Sequence, residues 1–295
     1  MTKVFITGAN GFTALSLTKS LEKDGFEVTA ASSKDNKAKN IITMKDFSQS
    51  SFAEILNLIE PDVIIHLAAI SSVIDQDDIN IFDINSIMVR NLLNAASAMK
   101  RKPKKIILSS SANLYGPSKN KLSELSDLNP TNIYSMSKLF MEEIAKNFFC
   151  KLNIVITRPF NYSGPLHSSN FLLPKIAEHF SNNKKEISLG NTNIIRDFSY
   201  IDDVVTTYKK LMLSSSKSEI INICSSKGQS ISEIIKIFES ICGYTIKVNV
   251  SKIEKRENDI NIQVGCNKKL LEIINFSPKP FSKDHATLFL SSILK

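Results

Sequence analysis

VFITGANGFTALSL, residues 4–17, decides how the rest of the chain is read. Its first four residues are apolar or β-branched and form a short strand, and two glycines, Gly8 and Gly11, follow at once. Ala14, Leu17 and Leu21 then recur at helical spacing, and Gly25 stands where a helix would end. In this strand–glycine–helix context Gly8 permits a tight turn, while Gly11 lets backbone amides approach a pyrophosphate at the positive end of the helix. Ala14 takes the third small position of such a loop, with a methyl where glycine is commoner. Asn10 and Phe12 complete the loop, so Gly8, Asn10, Gly11 and Phe12 are expected to hold a dinucleotide.

Working outward, FEVTAA (26–31), IITM (41–44), VIIHLAA (63–69), KIILSSS (105–111) and NIVITRP (153–159) alternate with helical patterns. These runs are apolar throughout rather than alternating, which indicates strands buried on both faces and so a doubly wound parallel sheet in an α/β fold. After Pro165 the alternation loosens into a helix over 171–182, a short strand near Ile187, a sheet-like segment at 220–224 and late helices. The expected division is a dinucleotide-binding domain over 1–165, to which 196–224 returns, and a smaller C-terminal α/β substrate lobe from 166–195 and 225–295. A ligand is expected between them, at the carboxyl ends of the strands.

A chain of 295 residues with 42% hydrophobic and 22% charged side chains can bury a full core. No apolar run reaches the roughly 20 residues that a membrane span needs, and no leader-like segment opens the chain, so a cytoplasmic protein with no membrane partner is expected. Four scattered cysteines without a C-x-x-C pair predict ordinary buried thiols and no metal. The net charge of +8 suits an anionic ligand. The densest basic run, KRKPKK (100–105), has no interleaved aromatics to stack on bases, so it reads as a solvated loop and not as a nucleic-acid surface.

At the end of the second strand, where a carboxylate would bind the ribose 2′-hydroxyl of NAD, stand Ser32, Ser33 and Lys34, with no acid before Asp35. Hydroxyls and an ammonium group suit a 2′-phosphate, which favours NADP(H) and leaves NAD(H) as the alternative. Asp46 and Phe47, after the third strand, are placed at the adenine side, and Leu67, Ala68 and Ala69 beside the nicotinamide half.

Two Tyr-x-x-x-Lys spacings occur, Tyr115 with Lys119 and Tyr134 with Lys138. Gly116 and Pro117 break any helix after Tyr115, whereas residues 133–149 form a long helical pattern that brings Lys138 alongside Tyr134. A cation there is expected to lower the phenol pKa and make Tyr134 a proton donor or acceptor. Ser111, at the end of the fifth strand, is placed to hydrogen-bond the same substrate oxygen, which completes a catalytic group of Ser111, Tyr134 and Lys138.

TGANGFTA, HLAA, Asn85, SSSANLYG (109–116), YSMSK (134–138) and RPFNYSGP (158–165) resemble the extended short-chain dehydrogenase/reductase family, the NAD-dependent epimerase/dehydratase type. That resemblance implies a Rossmann-type N-terminal domain, a nucleotide-diphosphate-sugar substrate, and a homodimer formed through the helices bearing Asn85 and Tyr134. Dehydratases of the family carry an Asp-Glu pair after the serine or threonine; Ala112 and Asn113 stand there here, so the acid and base for elimination are missing. FLLPKIAEH (171–179), LGNTNIIRDFSYIDDV (189–204) and REND (256–259) are similar to the family's reductases of GDP-linked 4-keto-6-deoxymannose. By that similarity Arg196 and Arg256 would grip the diphosphate or its ribose, Asp259 the ribose hydroxyls and Asn161 the near end of the substrate. Glu257 replaces the proline that is common after the second arginine. The expected activity is reduction of a C4 ketone. The alternatives are a 4-epimerase with bound NAD and, from another class, a non-enzymatic dinucleotide sensor or RNA-associated protein.

Overall fold

A computed structural model describes residues 1–34, 40–71, 80–250 and 261–293. Asp35, Arg256, Glu257 and Asp259 lie outside the described residues. The chain runs β1 (Lys3–Thr7), α1 (Phe12–Lys23), β2 (Glu27–Ser32), β3 (Ile41–Thr43), α2 (Gln49–Ile59) and β4 (Val63–His66). There follow α3 (Asn80–Phe82), a π-helical turn (Asp83–Ile87), α4 (Met88–Ala98), β5 (Lys105–Ser109), a 3-10 turn (Ala112–Tyr115), α5 (Ile133–Lys146) and β6 (Ile154–Pro159). Next come β7 (Asn161–Ser163), α6 (Leu172–Ser181), β8 (Glu186–Leu189), β9 (Ile195–Tyr200), α7 (Ile201–Leu213) and β10 (Glu219–Ile223). The last elements are β11 (Gly228–Ser230), α8 (Ile231–Cys242), β12 (Lys247–Val250), β13 (Ile262–Gln263), α9 (Lys268–Ile274) and α10 (Lys283–Ile293).

Seven parallel strands form the main sheet in the order β10-β6-β5-β4-β1-β2-β3. All six strands expected in the first half are present, and β10 extends the sheet at the far edge. Because successive residues of a strand face opposite ways, Val4 and Ile6 pack with α1 and α7 while Phe5 packs with α2 and α4 on the other side. Both faces are therefore dry, as the continuous apolar runs require. Strand order reverses between β1 and β4, which opens the crevice where ligands bind in such sheets. Beyond the main sheet, β9 pairs with β7, β11 and β13, and β8 pairs with β12.

The basic run is exposed at Lys100, Arg101, Lys102 and Lys104, as expected of a solvated loop, and departs from that expectation at Lys105. Arg101 and Lys104 both pair with Asp62, at 2.9 and 3.4 Å, and the Asp62 carboxyl is pulled down to about 2, first by the Lys3 backbone amide and then by Arg101. Lys105 is 3% exposed rather than solvated; its ammonium donates to the Leu211 carbonyl at 2.9 Å and to the hydroxyls of Ser214 and Ser216, tying β5 to the end of α7. The thiols also differ from expectation, since Cys224 is buried, Cys150 is exposed and the other two are half-buried. The helix bearing Tyr134 ends at Lys146, three residues short of its sequence pattern. Among the described residues no helix is long and apolar enough to cross a membrane, and no cluster of acids, histidines or cysteines is arranged to hold a metal.

The tightest packing at the switch point is backbone on backbone. Gly8 adopts φ +81°, and a Cβ there would come within 2.8 Å of the Ala68 amide nitrogen and Cα. The Gly8→Ala variant should lose about 1–3 kcal/mol from left-handed strain together with the displaced strand end. Urea unfolding measures this, and an unchanged midpoint would show that the turn relaxes freely.

Candidate active site

The glycine turn presents an open helix end. Gly11 caps α1 without a side chain, no acidic residue occupies the first turn, and the first amides of a helix have no partners within it. Such a terminus suits a phosphate or pyrophosphate, and glycine at positions 8 and 11 keeps side chains out of the way. Asn10 donates its amide to Ser32 Oγ at 2.7 Å, and the Lys34 amide donates to the same oxygen at 3.0 Å. Ser32 is thus a buried brace between the loop and the end of β2 with only its hydroxyl hydrogen left to give, while Ser33 and Lys34 are exposed. On the other side of the loop, Phe12 stacks on His167 with centroids 4.3 Å apart, His167 stacks on Phe171 at the same separation, and Thr13 shares a 2.8 Å hydrogen bond with Tyr162. The segment after β6 therefore straps the first turn of α1.

Asp46 and Phe47 line a cleft of about 340 Å³ between the end of β3 and the π-helical turn, together with Asp83, Ile87 and Asn91. The Asp46 carboxylate is engaged, accepting from the hydroxyls of Ser48 and Ser51 at 2.6 and 2.7 Å, which lowers its pKa. Asn91 donates to the Phe47 carbonyl at 2.9 Å, so the cleft walls are fixed. Leu67, Ala68 and Ala69 are half-buried just past β4. The Asn85 amide clamps the chain beyond them, accepting from the Ile70 amide at 2.8 Å and donating to the Ile70 carbonyl at 3.1 Å. Asn85 also donates to Ser137 Oγ at 3.0 Å, and Ser86 donates to the Ser137 carbonyl at 2.7 Å, which joins the π-helical turn to α5 beside Lys138.

Ser111, Tyr134 and Lys138 come together at the carboxyl edge. Asn132 and Ser135 form a reciprocal capping box that fixes the first turn of α5, where Tyr134 sits. Ser111 caps the 3-10 turn by accepting from the Asn113 amide at 3.1 Å, and its hydroxyl lies near enough to the Tyr134 phenol to pull that group's pKa down. Lys138, 2% exposed, donates to the Ser109 carbonyl at 2.8 Å. Burial lowers its pKa to about 8, and Glu142 opposes that fall. The expectation for Tyr134 is corrected here: burial raises the phenol pKa and outweighs the lowering by Ser111, and Lys138, which gives one of its three ammonium hydrogens to the Ser109 carbonyl, is not among the groups that shift it. Tyr208, fully buried, adds to the raise and hydrogen-bonds Ser109 Oγ at 3.1 Å.

Tyr115, the other half of the duplicated spacing, is a structural residue. Its hydroxyl donates to Asn222 Oδ1 at 2.7 Å and accepts from Arg158 at 3.0 Å, burial pushes it up to about 12, and Lys119 is exposed away from it. Arg158 in turn forms a buried bidentate pair with Glu142 at 2.6 and 2.9 Å. Sequence reading missed this pair, although a charged residue inside the apolar run NIVITRP was a signal that a buried partner exists. It also missed His66, 1% exposed at the end of β4. His66 Nδ1 shares a 2.8 Å hydrogen bond with Thr7 Oγ1, while His66 Nε2 and Ser110 Oγ have no partner among the described residues. Buried polar atoms left over at the carboxyl edge fit a site that takes a polar ligand.

Of the expected substrate residues, Asn161 is half-buried on β7 and Arg196 half-buried on β9, where its guanidinium donates to the Ile195 carbonyl at 3.0 Å. Asp197 does not serve as a surface counter-ion; it is fully buried and accepts from the Ser225 amide, the Ser225 hydroxyl and the Gly265 amide.

The chain is similar to known proteins along most of its length. A family model described as NAD dependent epimerase/dehydratase family matches residues 4–224. The chain is 32% identical, over 92% of its own length and 91% of the relative's, to GDP-6-deoxy-D-talose 4-dehydrogenase of Aggregatibacter actinomycetemcomitans. It is 24% identical to GDP-6-deoxy-D-mannose reductase of Pseudomonas aeruginosa, with 78% of this chain and 80% of that one covered. Among solved structures, a candidate epimerase from Burkholderia cenocepacia J2315 superposes with a TM-score of 0.93 at 30% identity, covering 99% of this chain and 98% of its own. With a matched fold, a family model that matches residues 4–224 and a relative aligned along most of both chains, this protein belongs to the NAD dependent epimerase/dehydratase family.

Proposed function

We propose that this protein is a nucleotide-sugar 4-ketoreductase, which uses NADPH in preference to NADH to reduce the C4 ketone of a nucleotide-diphospho-4-keto-6-deoxyhexose. One observation carries the reading: Ser111, Tyr134 and Lys138 converge at the carboxyl edge, while Ala112 and Asn113 follow the serine where an eliminating enzyme needs an acid and a base. The names of the two relatives fit it, since both describe oxidoreduction of GDP-linked 6-deoxysugars. The reduced nicotinamide supplies the hydride when bound. Gly8, Gly11 and the open end of α1 hold the pyrophosphate, Asp46 and Phe47 border the adenine, and Leu67, Ala68 and Ala69 leave room for the nicotinamide half. Ser32 donates its one spare hydrogen toward the adenine ribose, and Ser33 and Lys34 offer a hydroxyl and an ammonium group to a 2′-phosphate.

In the reaction Tyr134 gives its phenolic proton to the C4 oxygen as negative charge develops there. The raised pKa keeps Tyr134 protonated at neutral pH, the state a donor needs. Ser111 turns its hydroxyl hydrogen to the same oxygen, and Lys138 holds the nicotinamide ribose while its charge favours phenolate after transfer. By family resemblance Arg196 and Arg256 grip the diphosphate or its ribose, Asp259 the ribose hydroxyls and Asn161 the near end of the substrate. The division into a dinucleotide domain and a sugar-nucleotide lobe follows from the same reading. By family resemblance a homodimer forms through the helices bearing Asn85 and Tyr134, and the exposed Met136 and Phe140 on α5 leave apolar surface there for it.

Tyr134→Phe should lower turnover about 10²- to 10⁴-fold while NADPH still binds, as judged by fluorescence titration. Turnover near the wild-type rate would remove Tyr134 from the donor role. Offering GDP-, dTDP-, UDP- and CDP-linked 4-keto-6-deoxysugars with NADPH or NADH should give one oxidised cofactor per sugar reduced, faster with NADPH. Interconversion of sugars with no net change in nicotinamide absorbance would instead identify a 4-epimerase.

A further inference from the structure

The reading of Lys138 as a catalytic group leaves the buried Glu142 beside it without a task. Glu142 lies one turn beyond Lys138 on α5, on the same face of the helix, and is fully buried. Arg158 of β6, 2% exposed, grips both of its oxygens, with Nε to Oε1 at 2.9 Å and Nη2 to Oε2 at 2.6 Å. The remaining guanidinium nitrogen donates to the Tyr115 hydroxyl at 3.0 Å, and Tyr115 donates to Asn222 at 2.7 Å. Asn222 is itself fixed through the Leu122 carbonyl and the Glu124 carboxylate. The chain of contacts thus runs from the helix of Tyr134 and Lys138, through β6, to the turn that begins at Ser111, and on to β10.

Stability alone is a poor reason to keep such a pair, because well-packed apolar side chains commonly replace buried ion pairs without loss. Its placement supplies a better one. The groups that face Lys138 are the Ser109 carbonyl from β5, the His66 imidazole from β4, and Tyr134 and Glu142 from its own helix. His66 is kept neutral, its pKa pushed down to about 3 by burial and by Lys138. Tyr134 is kept protonated by burial. Glu142 is the carboxylate that acts on Lys138, and it favours the ammonium form against burial.

We propose that Glu142, locked by Arg158 and Tyr115, is a positioning residue of the reaction: it keeps Lys138 charged against the Ser109 carbonyl and holds the helix of Tyr134 in register with the turn of Ser111. Arg158 and Tyr115 act only through it.

The test compares the full-length wild type with Glu142→Gln and with the double variant Glu142→Leu, Arg158→Met, which leaves no unpaired charge if the single variant fails to fold. Circular dichroism confirms folding. The Lys138 side chain is then titrated by NMR with ¹³C-labelled lysine, assigned through Lys138→Met, and turnover of the best keto-sugar is followed against pH. The role predicts that the Lys138 midpoint falls by roughly one pH unit in the folded variants, that the alkaline limb of kcat moves down with it, and that KM changes little. A merely structural pair predicts loss of thermal stability with both curves in place, and that result overturns the proposal. If Lys138→Met turns over like the wild type, the reading of Lys138 fails and this role with it. If Lys138→Met is inactive while the Glu142 variants titrate like the wild type, the positioning role alone fails.

Discussion

Burial of the parallel sheet on both faces is the constraint from which the rest follows. A strand that is dry on each side can carry polar chemistry only where it ends, so the working groups of this chain gather at the carboxyl edge of β1, β4 and β5. Gly8, His66, Ser109, Ser110 and Ser111 all stand at or just past those ends. The helices that cover the sheet then decide what meets them: α1 brings an open N-terminus to the first strand, and α5 brings Tyr134 and Lys138 to the fifth.

Moving a lysine into such a place is costly, and the structure shows how the cost is distributed. Lys138 has one carbonyl partner at 2.8 Å and a carboxylate one turn away, and even so burial takes its pKa to about 8. Breaking a buried ion pair by removing one partner costs about 3–5 kcal/mol, so the Glu142–Arg158 pair cannot be trimmed piecemeal. The same low dielectric raises the Tyr134 phenol. A protonated phenol and a charged ammonium group are opposite demands on one dry pocket: burial favours the first, and Glu142 works against burial at the second.

The fold was legible because its signal is local. Continuous apolar runs and the glycine turn at residues 8–11 need no knowledge of distant contacts, and each of the six expected strands lies in the sheet. The different settings of the two tyrosines were legible for the same reason, since Gly116 follows Tyr115 with φ +66° and Tyr115 turns into the core, while Tyr134 opens α5. What was not legible depends on three-dimensional neighbours. KRKPKK looks like a solvated run, yet Lys105 is buried against the end of α7, over a hundred residues along the chain. The partner of Arg158 is sixteen residues away on another element, and the sign of the Tyr134 shift depends on burial, which spacing alone does not report.

The central claim is that the three residues at the carboxyl edge direct a hydride to the C4 carbon of a nucleotide-linked sugar. It is tested most directly by supplying NADPH deuterated at the transferring position of the nicotinamide and reading the product by NMR. The account predicts one deuterium at sugar C4 for each cofactor oxidised, and none in Tyr134→Phe over the same interval. A product without deuterium at C4, or a sugar converted while the labelled cofactor is left unspent, would contradict it.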